Sequence, residues 1–342
     1  MVGIEEVAEL AGVSTATVSR ALRGKEHVSE KARKKVEAAA KELGYVASSS
    51  ASTLATGRTQ NIGVVLPFID RWFFSVILEG IESALIEQGY DLTLYNLSGG
   101  QAQRDRIFNE HLLRKRVDGV LAIAVNPSPE ELGNLTRMRK PIIGVGGAIK
   151  GARSLSMDDR AAARLATEHL LNLGHTRVGM IGGEPGADRE FGQPDLRFVG
   201  YQEAMKAAGL QVKPGWSVGC DYTIQGAYKV AKQMLGDPRD APSAIFCASD
   251  EMGFGTIMAA KDLGLEVPKD ISVIGIDDHD MSDFFGLSTI SQSPREQGRK
   301  AVEMLLELLR DPDLEDHVNV ESTVEWPAPL VVRSSTAKHV GR

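Results

Sequence analysis

From Asn61 onward, short apolar runs alternate with amphipathic stretches, and this rhythm limits the possible folds more than any other feature of the 342-residue chain. The runs Ile62–Leu66, Asp91–Tyr95, Gly119–Ala124, Ile142–Val145, Val178–Ile181, Ala244–Cys247 and Ile271–Ile276 read as parallel strands buried on both faces. Helices are expected near Phe73–Gln88, Gln103–Arg116, Arg160–Leu173, Leu196–Ala208, Gln225–Leu235, Glu251–Leu263 and Pro294–Leu309. Gly89, Gly174, Gly209 and Gly264 each follow one of these helices, where a left-handed residue is wanted. Such a βαβα order specifies a doubly wound α/β architecture. The span from 61 to 334 exceeds one sheet of this kind, so two α/β subdomains are expected side by side. Ligands of open α/β sheets bind beyond the carboxyl ends of the strands. Those ends carry Asp70, Asn96, Asp250 and Asp277, which two facing sheets would bring to one cleft.

Composition removes several classes. No run of 18 or more apolar residues occurs, so a membrane-spanning helix is not expected. The start, Met1-Val2-Gly3-Ile4-Glu5-Glu6, lacks the basic and apolar regions of a secretory signal. Cys220 and Cys247 are the only cysteines, which suits a reducing cytoplasm. The seven histidines form no HExxH and no Cys/His cluster, so no metal is expected. His175, at a helix end, reads as a structural cation set against the helix dipole. Neither a dinucleotide glycine fingerprint, nor a P-loop, nor a nucleophile elbow is present, so no cofactor and no catalytic residue are assigned. An exported solute-binding protein would need a leader and no N-terminal head, and a dehydrogenase-like enzyme would need a cofactor loop.

Residues 1–59 hold nine Lys/Arg against seven Glu, a charge of +2, whereas the whole chain carries −7 and the remainder therefore −9. A mildly basic head on an acidic body suits a polyanion at the head alone. Within the head, Ile4, Val7, Ala8 and Ala11 form one helical stripe. Gly12 offers a tight turn and Ser14 a cap for a second helix, Thr15 to about Leu22, with Val18 and Leu22 inward. A third helix follows Ser29 and ends at Gly44. This is a helix-turn-helix with a supporting helix. The outward positions of its second helix, Thr15, Ala16, Thr17, Ser19 and Arg20, are short, polar or cationic, as entry into a major groove requires.

The run from Ile4 to Leu22 resembles the DNA-binding head of the lactose-repressor (LacI–GalR) family of bacterial transcription regulators. The resemblance continues through Val28-Ser29-Glu30, Glu42-Leu43-Gly44-Tyr45, Ile62-Gly63-Val64-Val65, Val117-Asp118-Gly119, Leu173-Gly174-His175, Arg197-Phe198-Val199-Gly200-Tyr201 and Asp270 to Asp277, covering essentially the whole chain. It implies an all-α helix-turn-helix head at 1–46, a hinge at 47–59, and a periplasmic-binding-protein-like body at 60–334. One subdomain would comprise about 60–158 with 290–322 and the other 159–289 with 323–334, leaving a tail at 335–342.

The resemblance assigns base reading to Thr15, Ala16 and Arg20, and phosphate contacts suit Ser14, Thr17, Ser19 and Tyr45. It makes Leu54 an apolar wedge for the minor groove. The hinge departs from the family where Ser52 replaces a usual Arg and Ala47 a usual Pro. Effector contacts are implied for Trp72, Phe73, Phe74, Arg197 and Asp277, with Tyr222 and Asp250 as weaker candidates. An aromatic platform with Arg and Asp suits a polyhydroxylated or heterocyclic ligand, whether a sugar, a sugar phosphate or a nucleobase. A second cleft arginine would fall near Arg189 or Phe191. An Arg197–Asp277 ion pair across the cleft is an alternative to ligand binding, and Asp158 and Asp159 read as helix caps. The partners implied are palindromic operator DNA, a small-molecule effector and a second copy of the chain. No heptad-bearing tail follows Arg333, so a coiled-coil tetramer is not expected.

Overall fold

Ile62 through Leu66 carry no polar side chain, and all five residues are buried in a central strand, as a run this apolar requires. The computed structural model describes residues 2–22, 28–45, 58–114, 116–183, 193–311 and 321–340. Its contacts divide the chain into two units, 1–60 and 61–342.

The first unit holds helices α1 (Ile4–Ala11), α2 (Thr15–Leu22) and α3 (Glu30–Leu43). Val7, Ala8 and Ala11 from α1 meet Val18 and Ala21 from α2 and Val36, Ala39 and Ala40 from α3 in a small core. Small alanines at the contact let three short helices approach closely. Gly12, at φ 68°, ends α1 in the left-handed conformation the turn demands.

The second unit contains two six-stranded sheets. The first comprises β1 (Asn61–Leu66), β2 (Asp91–Asn96), β3 (Gly119–Ile123), β4 (Ile142–Val145), β5 (Arg153–Ser156) and β11 (Ser322–Glu325), in the order β11-β5-β4-β3-β1-β2 and all parallel. The second comprises β6 (Val178–Gly183), β7 (Ser217–Cys220), β8 (Ala244–Cys247), β9 (Ser272–Asp277), β10 (Ser288–Ser291) and β12 (Leu330–Val331), in the order β12-β10-β9-β8-β6-β7. Among the described residues, only the β10–β12 pair is antiparallel. Each order reverses once, between β1 and β3 and between β6 and β8, and these switch points are where such sheets hold ligands.

Helices α4 (Trp72–Glu87), α5 (Gln101–Arg106), α6 (Pro129–Arg137), α7 (Asp159–Asn172), α8 (Gln193–Ala207), α9 (Ile224–Met234), α10 (Asp250–Asp262), α11 (Ser282–Phe285) and α12 (Pro294–Arg310) connect or cover the strands. Val64 faces the core under α4 and α12, while Val65 faces the opposite core with Phe108 and Leu112, the alternation a two-sided sheet imposes. Gly89, Gly174, Gly209 and Gly264 all have positive φ, as their places after helices foretell.

The structure moves two expected boundaries and adds elements. Ser322–Glu325 pairs with β5 in the first sheet, so the last crossing comes after Glu325 rather than at 322/323. Ile290 and Ser291 belong to the second sheet, just beyond the expected 289/290 boundary. Residues expected as a tail are laced onto the second subdomain: Val273 N–H donates to Ser335 O (2.9 Å), and His339 N–H to Leu173 O (2.8 Å). Among the described residues no helix is long and apolar enough to cross a membrane.

Candidate functional site

In the head, Ser14 accepts from Thr17 N–H at 3.2 Å and its hydroxyl lies 2.9 Å from the Thr17 hydroxyl, so this pair caps α2. Burial of Val18 and Ala21 fixes the helix rotation. Ser14, Thr15, Ala16 and Arg20 are thereby exposed, with Thr17 and Ser19 half-buried. Tyr45 packs half-buried against the head core. The hinge positions Ala47, Ser52 and Leu54 lie outside the described residues, as do Arg189 and Phe191.

In the body, the chain crosses between sheets three times, after Ser156, Ser291 and Glu325. Trp326 ties the crossings together. Its backbone N–H donates to Ser156 O and its indole N–H to Gln292 O, both at 2.9 Å. It also packs against both subdomain cores.

The segment after β1 supplies the aromatics. Phe74 is buried with its ring edge-on to Phe68 and Phe73, so it belongs to the core. Phe73 is half-buried and packs against the edge of the same core. Trp72 has other partners: it stacks on His279 at 4.5 Å and donates its indole N–H to Asp280 Oδ2 at 3.2 Å. Both partners belong to the opposite subdomain, so Trp72 bridges the subdomains.

Arg197 is buried and pairs not with Asp277 but with Asp159, Nε to Oδ1 at 2.7 Å, within its own subdomain. Its Nη1 donates to Ala248 O, and among the described residues its Nη2 has no hydrogen-bond partner. Burial opposes the guanidinium charge, yet Asp159, with Tyr222 and Asp277 nearby, holds Arg197 protonated above its usual range. Burial likewise pushes Asp159 up, against the pull of Arg197. Asp158, rather than Asp159, caps α7, accepting from Ala161 N–H at 2.9 Å.

Asp277 ends β9 in a buried position, with φ 141°. Its Oδ1 accepts from Gln292 Nε2 at 2.6 Å and its Oδ2 from Asp250 N–H at 3.3 Å. Burial, then the neighbouring Asp250 charge, raises its pKa well above the ordinary carboxylate value. Asp250 is fully buried and committed internally: it accepts from Thr289 Oγ1 and Ser282 Oγ at 2.7 Å and from His279 N–H at 2.9 Å. Burial pushes it up to about 6 despite these donors. Its carboxylate therefore braces the turn after β9 instead of facing a ligand. Tyr222, at φ 56°, accepts at its carbonyl from Arg71 Nη1 at 3.1 Å, a second bridge across the cleft. Asn96 closes a local turn with Ser98. His175 is also corrected: its ring nitrogens sit 3.0 Å from the Ser243 and Ser272 hydroxyls, and burial lowers its pKa to about 4, so it is neutral and not a cation. Gln292, His279, Asp280 and Arg71 were not singled out from sequence, because each acquires its meaning from a residue more than a dozen positions away.

A three-helix head presenting short polar residues and one arginine, and a body of two α/β subdomains bridged by polar and aromatic side chains, define a DNA-binding regulator answering to a small molecule. Residues 3–48 match the bacterial regulatory proteins of the lacI family, and residues 167–336 match the periplasmic binding protein-like domain. The chain is 34% identical to the HTH-type transcriptional repressor PurR of Vibrio vulnificus (strain CMCP6), over 99% of both chains. It is 35% identical to the ribose operon repressor of Escherichia coli (strain K12), over 92% of this chain and 95% of that one. The lac repressor dimer bound to operator and the anti-inducer ONPF shares the fold, with a TM-score of 0.81, 29% identity, and coverage of 98% of this chain and 99% of that one. The chain belongs to the lacI family of bacterial regulatory proteins: it is a DNA-binding transcriptional regulator, not an enzyme.

Proposed function

We propose that this regulator represses transcription in the cytoplasm as a homodimer on a palindromic operator, and that a sugar or sugar derivative between its subdomains sets its affinity. One observation carries the effector class. Phe73, half-buried at the start of α4 in one subdomain, and the buried Arg197 and Asp277 of the other together supply an apolar ring, a charged donor and an acceptor. A sugar has matching apolar and hydroxyl faces. The similarity to a ribose operon repressor points the same way. Two heads are needed because each contacts only a half-site, and Phe284 (89% exposed) with Met281 offers apolar surface for a second copy. On DNA, Thr15, Ala16 and Arg20 would read bases, with Ser14, Thr17, Ser19 and Tyr45 on phosphates and Leu54 at the centre of the site.

The test is a thermal-shift screen of the full chain against D-ribose, other free sugars, sugar phosphates and nucleobases, followed by a mobility shift on palindromic DNA. Ligand at a hundredfold its Kd stabilises by about 2.7 kcal/mol. A response to a free sugar or sugar derivative, with altered operator binding, is expected. A response confined to nucleobases would overturn the effector class.

A further inference from the structure

Two adjacent residues of the first subdomain grip two separate turns of the second. Arg71 Nη1 donates to Tyr222 O at 3.1 Å, with the carboxylates of Asp221 and Glu251 within its electrostatic reach. Trp72 stacks on the His279 ring, at an interplanar angle of 24°, and donates to Asp280 Oδ2. His279 is in turn edge-on to Phe254 at 5.1 Å, and Phe254 stacks on Phe285 at 4.5 Å. A continuous line of four rings therefore runs from the start of α4 into α10 and α11. The receiving turn is fixed from beneath, since buried Asp250 holds both the His279 amide and the Ser282 hydroxyl. Ordinary surface aromatics are not seated on so prepared a support.

We infer that Arg71 and Trp72 form a clasp that holds the two subdomains closed, with Asp250 positioning the turn on which Trp72 lands. The clasp deepens the proposed regulation of the cleft, yet it is made by protein groups alone and operates without a ligand. Phe73 follows Trp72 directly, so the clasp and this proposed effector ring share the first turn of α4. Opening for ligand exchange must unstack Trp72 from His279 and withdraw Arg71 from the Tyr222 carbonyl. Stacking of this kind shifts an equilibrium by roughly 2- to 12-fold, enough to poise the cleft without locking it.

The test measures subdomain separation in the ligand-free full chain. Spin labels are placed on cysteines introduced at exposed Glu82 and Lys261, one in each subdomain, with labelled chain diluted in unlabelled chain so that each pair is intramolecular. The native Cys220 and Cys247 are buried. Trp72→Ala should move the distance distribution toward longer, broader separations, and Asp280→Ala should do so to a smaller extent. Asp280 is exposed, so the second variant keeps the fold even if the first does not. Distributions identical to the parent in folded Asp280→Ala and Trp72→Ala, or in Asp280→Ala alone where Trp72→Ala does not fold, would overturn the clasp. Because no effector enters this measurement, its failure is separate from failure of the sugar reading, which the ligand screen decides.

Discussion

Asp277 combines two properties that ordinarily exclude each other, burial and a second carboxylate nearby. It is held by one amide from Gln292 and one backbone N–H from Asp250, few donors for a buried charge. Replacing it with asparagine removes the repulsion while keeping the shape. Asp277→Asn should leave the melting temperature unchanged or slightly raised, yet lower sugar affinity at least tenfold, about 1.4 kcal/mol, as read by calorimetric titration. A proportionate loss of both would make Asp277 a structural residue. His175 offers a pH test. Burial keeps its folded pKa near 4, below the value of an unfolded histidine near 6.5. The neutral ring's contribution is therefore fully present above pH 6.5 and lost as acidification takes the unfolded chain, but not the folded one, through protonation. Asp250, raised to about 6, acts in the opposite sense, since its protonated form is favoured by folding. Comparison with His175→Asn cancels that opposing effect. Between pH 7 and pH 4 the parent should lose roughly 1–3 kcal/mol more than the variant, measured by denaturant melts.

At the scale of elements, close helix crossings depend on absent side chains. A Cβ on Gly80 of α4 would collide with the Arg295 carbonyl in α12, and one on Gly298 would strike the Ile77 carbonyl in return. Gly80→Ala should therefore cost about 1–3 kcal/mol, visible as a lowered urea midpoint, despite alanine's better helix propensity. The recognition helix makes a different demand. Arg20 is exposed at its last turn and suits a bidentate guanine contact, so Arg20→Ala should relax preference at one base pair per half-site by about 1–3 kcal/mol. Binding arrays over operator variants would read this, and a uniform loss over all sequences would contradict it. Apolar strands and capped helices were legible in the sequence because local pattern determines them. The strands Arg153–Ser156 and Ser288–Ser291 were not. Their polar residues tolerate burial only through partners that no alternation pattern reveals, as when Thr289 donates to Asp250, 39 residues away, and the Ser154 hydroxyl receives the Ile149 amide. Helix α6 was missed as well, although Ser128-Pro129-Glu130-Glu131 spells a full capping box with proline at its start. The cleft was half legible. Arg197, Phe73 and Asp277 stand at strand and helix ends as expected, but Asp159 as the arginine's counter-ion and Trp72 as a bridge depend on tertiary approach.

For the whole molecule, the connection between subdomains matters more than either alone. Trp326 touches both cores and hydrogen-bonds at two of the crossings, and Gln292, to which it donates, also holds Asp277. The proposed ligand carboxylate and the crossings between subdomains thus share one residue, Gln292. Trp326→Ala should destabilise the body by about 2–4 kcal/mol, with probes in both subdomains shifting together under denaturant. A shift confined to one probe would show that the crossings do not couple the halves. The interleaving also bears on biosynthesis. Residues 322–339 add an outer strand to the first sheet and an antiparallel edge plus a backbone lacing to the second. A nascent polypeptide therefore completes neither half early and the other late. Both wait, one strand short, until residues 322–339 have been translated, and a frameshift upstream of them would cripple the two together.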